Sequence, residues 1–215
     1  GPSAAFDRIQ LRAVDRSVLP YPRLETASGF RLGSGARGTF WIRRRTESGT
    51  VLILRRAVLH LPDEPRPGGQ LASRAAFSEE ADGGGAWAIE LPSPEGVLRV
   101  DEQIRREDDG VVVSYRLPEG KLAHLRLEGL DGSLELVRLD ERGRRVSSDE
   151  NTSLVQEIRW RRGKTPLMSA VLEPPTQAAL AHRDGISRLR LTIPTRLTIR
   201  FAASSRRLEA EIAGL

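Results

Sequence analysis

Alternation of apolar and polar residues runs through the chain with a period of two, the spacing at which successive side chains of a strand point to opposite faces. Phe6, Ile9, Leu11 and Ala13 alternate in this way with Asp7, Gln10 and Arg12, and Phe40 and Ile42 share one face of Thr39 to Arg45. Longer runs follow at Thr50 to Leu61, Ala86 to Leu91, Gly96 to Ile104, Val111 to Leu117 and Leu122 to Leu127. Ser133 to Leu139, Leu154 to Arg161, Leu167 to Leu172, Ser187 to Ile193, Arg196 to Phe201 and Arg207 to Ile212 complete the series. The pattern predicts about thirteen short strands.

The punctuation is that of hairpins, because glycine accepts the positive φ of tight turns and acidic neighbours tolerate it best. Glu47-Ser48-Gly49, Asp109-Gly110, Asp131-Gly132 and Glu141-Arg142-Gly143 each separate two alternating runs. Spacing of 8 to 12 residues between turn signals predicts an all-β, antiparallel sandwich architecture rather than a parallel βαβ sheet. Two segments read as short helices. Gln70 to Ala81 places Leu71, Ala75 and Phe77 on one side, and Gln177 to Arg183 has Thr176 as a cap, Pro174-Pro175 ahead of it and Gly185 after it.

Pro118-Glu119-Gly120 lies near the middle of the 215 residues. It divides the chain into an N-terminal sandwich domain, residues 1–119, and a C-terminal one, residues 120–215. In the second half, Leu134-Glu135-Leu136-Val137-Arg138-Leu139 runs as a strand into the turn Asp140-Glu141-Arg142-Gly143-Arg144. With its seven expected strands, this half resembles an immunoglobulin-like or fibronectin-like sandwich. The resemblance is one of architecture, covers about 95 residues and implies no activity.

Composition removes several chemistries. The chain has no cysteine, so disulfides, thiolate metal sites and cysteine nucleophiles are excluded. No run of about 18 apolar residues is present to span a bilayer as a helix. Gly1-Pro2 reads as the remnant of a cleaved tag, so the native start is expected to be missing. The formal net charge is +5, and all basic residues but Lys121 and Lys164 are arginine. Residues 63–110 hold twelve acidic side chains against five basic ones, while both ends of the chain are basic. Such a distribution favours segments that face each other over one field aimed at an external polyanion.

Candidate motifs lack the context their chemistry needs. Gly33-Ser34-Gly35-Ala36-Arg37-Gly38 is glycine-rich, but a phosphate loop requires a helix N-terminus next, and here the strand Thr39 to Ile42 follows. His60, His124 and His182 are isolated in sequence and lack the short spacing of a zinc helix, so no metal or other cofactor is expected. Asp101, Glu102, Glu107, Asp108 and Asp109 are the densest supply of carboxylates for hydrolysis; with Arg105 and Arg106 between them they read as a solvated turn. No Gly-x-Ser-x-Gly elbow marks a triad. The arginine clusters Arg43-Arg44-Arg45, Arg55-Arg56, Arg144-Arg145, Arg161-Arg162 and Arg206-Arg207 lack interleaved stacking aromatics, which argues against a nucleic-acid face and for cross-strand pairing with the acidic middle. Asn151-Thr152-Ser153 is a glycosylation sequon in form alone.

The ligand-binding candidates are Trp41, Trp87 and Trp160, the rings from which a sandwich would build a sugar platform, weighed against packing in the core. The expectation is a non-catalytic binding, adaptor or structural module of a bacterial exported or envelope-associated protein, periplasmic or extracellular, with a protein or glycan partner. The alternative is a carbohydrate-binding or carbohydrate-active sandwich.

Overall fold

The computed structural model describes residues 12–15, 21, 23–35, 39–62, 74–79, 84–107, 109–130, 133–146, 154–184 and 186–203. Among them are seventeen strands in two antiparallel sheets and no helix. The expected strand over 207–212, the turn Asp131-Gly132, the sequon at 151–153 and most of the run from Phe6 lie outside the described residues.

Chain order explains how the sheets are assembled. Strands β1 (Arg12–Asp15), β6 (Arg74–Glu79), β7 (Gly85–Ser93), β8 (Gly96–Glu107) and β9 (Gly110–Arg116) form one flank of a ten-stranded sheet. The flank beyond them is β17 (Arg196–Ala202), β14 (Thr165–Thr176), β13 (Leu154–Arg162), β11 (Ser133–Leu139) and β12 (Arg145–Val146). The seven-stranded sheet is built likewise: β2 (Leu24–Glu25), β3 (Phe30–Ser34), β4 (Phe40–Thr46) and β5 (Gly49–His60) come from the first half of the chain. Its other strands, β10 (Ala123–Leu130), β16 (Ile186–Ile193) and β15 (Ala178–Arg183), come from the second. Each half thus supplies strands to both sheets, and the halves join edge to edge along two ladders, β9 with β17 and β5 with β10. Pro118-Glu119-Gly120, where the division into 1–119 and 120–215 was drawn, is the crossover from β9 in one sheet to β10 in the other; Lys121 donates its backbone N–H to the Pro118 carbonyl at 3.2 Å.

The inner faces share one apolar core, in which Phe30, Leu32, Ile42, Ile53, Leu125 and Leu191 of the seven-stranded sheet belong with Trp87, Val100, Val113, Ile158, Ile199 and Phe201 of the other. Full burial of such side chains contributes about 1.5–3 kcal/mol each, which makes the inter-sheet layer the main source of stability.

Both expected helices are strands. Residues 74–79 of the first form β6, whose register sets Phe77 opposite Trp87 and Ala75 opposite Ile89; residues 70–73 and 80–81 lie outside the described set. Ala75 and Phe77 are two apart, a spacing that fits a strand as well as a helix, and β7 offers a ladder that a lone helix lacks. The second is β15, paired from Ala178↔Leu191 to Arg183↔Ile186. Thr176 donates its hydroxyl to the Thr192 carbonyl rather than capping a helix, and Asp184, at φ 53°, turns the hairpin that Gly185 had suggested as a helix end.

Asp109-Gly110 lies at the β8–β9 hairpin as expected, although the glycine serves a different purpose. Its φ is not positive; a Cβ placed there would lie 1.7 Å from the Phe201 carbonyl oxygen, so glycine permits β17 to approach β9. At Glu47-Ser48-Gly49, by contrast, Gly49 adopts φ 123° with open space around it and acts through conformation alone.

Candidate functional site

Three connections meet at one end of the sandwich. The β2–β3 turn, Thr26 to Gly29, is closed by Gly29 N–H donating to the Thr26 carbonyl at 3.0 Å and by Phe30 N–H donating to Thr26 Oγ1 at 3.2 Å. Gly29 has φ 83°, and a Cβ there would lie 3.0 Å from the Arg45 Cβ, so any other residue would strain the turn where it lies against β4. In the β4–β5 turn Thr46 Oγ1 donates to the Gly49 carbonyl at 2.9 Å and lies 3.1 Å from Ser48 Oγ. Thr165 and Pro166, at the start of β14, contribute the opposite wall from the ten-stranded sheet.

Together these segments enclose an open groove of about 930 Å³. Five hydroxyl side chains line it, those of Thr26, Ser28, Thr46, Ser48 and Thr165, with Arg44, Arg45, Glu25 and Glu47. Strand parity distributes the arginine triplet: Arg43 and Arg45 lie on the outer face of β4, while Arg44 shares the inward face with Phe40 and Ile42. Arg44 therefore reaches across the gap between sheets, its Nη1 donating to the carbonyls of Pro166 at 3.1 Å and Leu167 at 2.5 Å. Burial lowers its pKa from the ordinary arginine value, and no charged neighbour opposes that shift. Arg45 is instead committed to Glu25 at 3.2 Å, a carboxylate that also binds Arg31 at 3.0 Å.

The three tryptophans do not meet. Trp87 and Trp160 are 1% and 0% exposed and belong to the core; Tyr21 packs on Trp87 with ring centroids 5.0 Å apart. Trp41 remains partly exposed on β4. Its ring lies against Gly33, where a Cβ would come within 2.4 Å, its Nε1 donates to the Ser34 carbonyl at 2.9 Å, and the Arg43 guanidinium stands 4.3 Å from its centroid. The glycine at the start of the Gly-rich segment thus makes room for an indole; residues 36–38 lie outside the described set.

Other candidates are also placed by strand register. His60 and His124, isolated in sequence, are partners across the β5–β10 ladder, with ring centroids 5.3 Å apart. Among the described residues no group of three or more His, Asp or Glu is arranged to hold a metal ion.

The acidic segment is not one solvated turn. Asp101 and Glu102 lie inside β8, within the run expected as a strand, and are 6% and 1% exposed because both flanks of β8 are paired, with β7 and β9. Asp101 accepts from Arg99 at 2.9 Å and from Arg116 at 3.0 Å, and Glu102 occupies the inward parity of Leu98, Val100 and Ile104. Glu107, at the end of β8, binds Arg200 at 2.6 Å. Glu128 on β10 similarly gathers Arg56, Arg126 and Arg188. The expected pairing of the acidic segment 63–110 with the basic ends is thus seen at Glu107 with Arg200, whereas Asp101 is paired by Arg99 and Arg116 of the middle, and Arg56 and Arg188 meet at Glu128, outside that segment.

No family model matches the chain, and no curated protein matches it in sequence. Among solved structures it is similar to the crystal structure of 4-alpha-glucanotransferase from Thermococcus litoralis, with 10% identity and a TM-score of 0.49. The match covers 91% of this chain, which spans 40% of the length of that one.

Proposed function

We propose that the chain is a non-catalytic binding or adaptor module that takes its ligand in the groove between the two sheets. The observation that supports this reading is the groove's construction: hydroxyls held on short hydrogen-bonded turns, beside a guanidinium anchored to the opposite sheet. Such preorganised polar groups favour recognition by lowering the entropy lost on binding. An arginine-rich, lysine-poor composition supports a bacterial source, and the polar connections between strands support an exported or envelope-associated setting.

The test is to probe immobilised glycans and peptides with the wild-type chain and with Ser48→Trp, which fills the groove mouth from an exposed position. Ligands bound by the wild type and lost in the variant support the reading. Equal binding by both contradicts the assignment to the groove, and sustained turnover of a bound ligand contradicts a non-catalytic role.

A second reading, sugar binding at Trp41, is favoured by its partial exposure, whereas Trp87 and Trp160 are enclosed. Its test is tryptophan fluorescence quenching by an aqueous quencher, with protection by added oligosaccharide supporting it and absence of protection opposing it.

A further inference from the structure

We propose that the groove takes a carboxylate-bearing glycan, a chain of uronic-acid type, with Arg44 as the group that holds its carboxylate. The inference rests on the groove being the binding surface and adds the chemical class of its occupant.

The distribution of charge carries it. Of the two arginines in the groove, Arg45 is neutralised by Glu25. Arg44 meets carbonyl oxygens alone, and no carboxylate among the described residues lies within ion-pair distance of it. A half-buried guanidinium without a counter-charge has given up part of its hydration and recovers electrostatic energy from any anion that reaches it. Glu47, the other carboxylate on the rim, stands at an exposed hairpin tip, where water and salt screen its repulsion.

The neutral lining selects among anions. Ser28, Ser48 and Thr165 present hydroxyls, which donate and accept and so match a polyhydroxylated chain. Among the described lining residues Ala27 and Pro166 are the apolar side chains, and no aromatic or large aliphatic one is present to grip the anchor residue through which an acidic peptide would gain affinity. A carboxylate for Arg44 and ring hydroxyls for the turns are found together in uronic-acid oligomers.

Calorimetric titration of the full chain with an oligouronate and with its carboxyl-reduced neutral counterpart tests this. The wild type is expected to prefer the acidic oligomer by tenfold or more, with affinity falling as salt rises. Arg44→Gln is expected to abolish the preference while retaining the neutral oligomer's affinity, and Arg44→Lys, which keeps a charge and a donor, to restore part of it. Arg188→Gln, on β16 and outside the groove lining, is expected to leave the preference within twofold. Unfolding midpoints recorded on the same samples separate lost binding from lost structure. Equal affinity for the two oligomers, an unchanged preference in Arg44→Gln, or binding of acidic peptides in place of either oligomer overturns the proposal. Preference that survives Ser48→Trp also overturns the groove reading, whereas loss of both oligomers in that variant without an acidic preference in the wild type overturns the ligand class alone.

Discussion

The seam between the two halves and the groove at the sandwich end are built on opposite principles. At the seam, β9 and β17 exchange a continuous ladder from Leu197↔Tyr115 to Ala202↔Gly110, backed by buried Val111, Val113, Ile199 and Phe201. At the groove, short turns project hydroxyls and the inward arginine of β4 bonds to carbonyls of the facing sheet. The difference teaches that apolar continuity fuses two strand sets into one body, while strand ends, free of the ladder, carry the polar groups. Changes at the seam therefore act on folding, and changes at the groove act on ligands.

The largest expected effect is at the seam. Phe201→Ala should destabilise by about 3–5 kcal/mol through the cavity it leaves in the shared core. Gly110→Ala should follow at about 2–3 kcal/mol, because the added methyl meets backbone at 1.7 Å and β17 must withdraw. Urea unfolding measures both; a loss under 1 kcal/mol in either would break the claim that this ladder joins the halves.

Next is Glu128, on the β10 side of the second seam. Glu128→Gln removes the shared partner of three arginines, of which Arg56 and Arg188 are about half exposed. Screening limits the expected loss to about 1–2 kcal/mol, smaller still in high salt. Unfolding at two ionic strengths checks it.

Arg44→Met sharpens the contrast most. Two charge-assisted bonds across the sheets are lost while a desolvated charge is also removed, so stability should move by about 1 kcal/mol or less in either direction. Binding should fall tenfold or more by titration calorimetry.

Smallest is Asp140, whose side chain accepts from the backbone N–H groups of Arg142 and Arg144 at 2.9 Å each. The bond from Arg144 N–H is the main cause of a carboxyl pKa below its usual 3.8. Its contribution to the turn is present in full above the unfolded pKa and is lost as pH falls through the lower folded value. A carboxyl NMR titration with a midpoint at or above 3.8 would remove this effect.

Strand identity was legible wherever alternation met a turn signal. Ser133–Leu139 is β11, and Val111 to Leu117 matches β9 to within a residue at each end. The two helices were misread because Ala75 and Phe77, or Thr176 followed by a short polar run, satisfy both periods until a neighbouring strand decides between them. The seams were not legible at all, since pairing β5 with β10 or β9 with β17 is a choice among many apolar partners. Nor was the groove. Thr26, Ser28, Thr46 and Ser48 fall in two separate connections, and more than a hundred residues separate Thr165 from them. One signal was available in the arginine triplet, where parity with Phe40 and Ile42 marks Arg44 as the inward member.

The most direct measurement is a backbone amide NMR titration of the full chain with a uronic-acid oligomer. Occupation of the groove should shift the amides of Thr26 to Gly29, Arg44 to Ser48 and Thr165, and leave the β9–β17 ladder still. Shifts centred on Trp41 or on the outer sheet faces, or no shift at millimolar oligomer, would contradict a binding groove at this end of the sandwich.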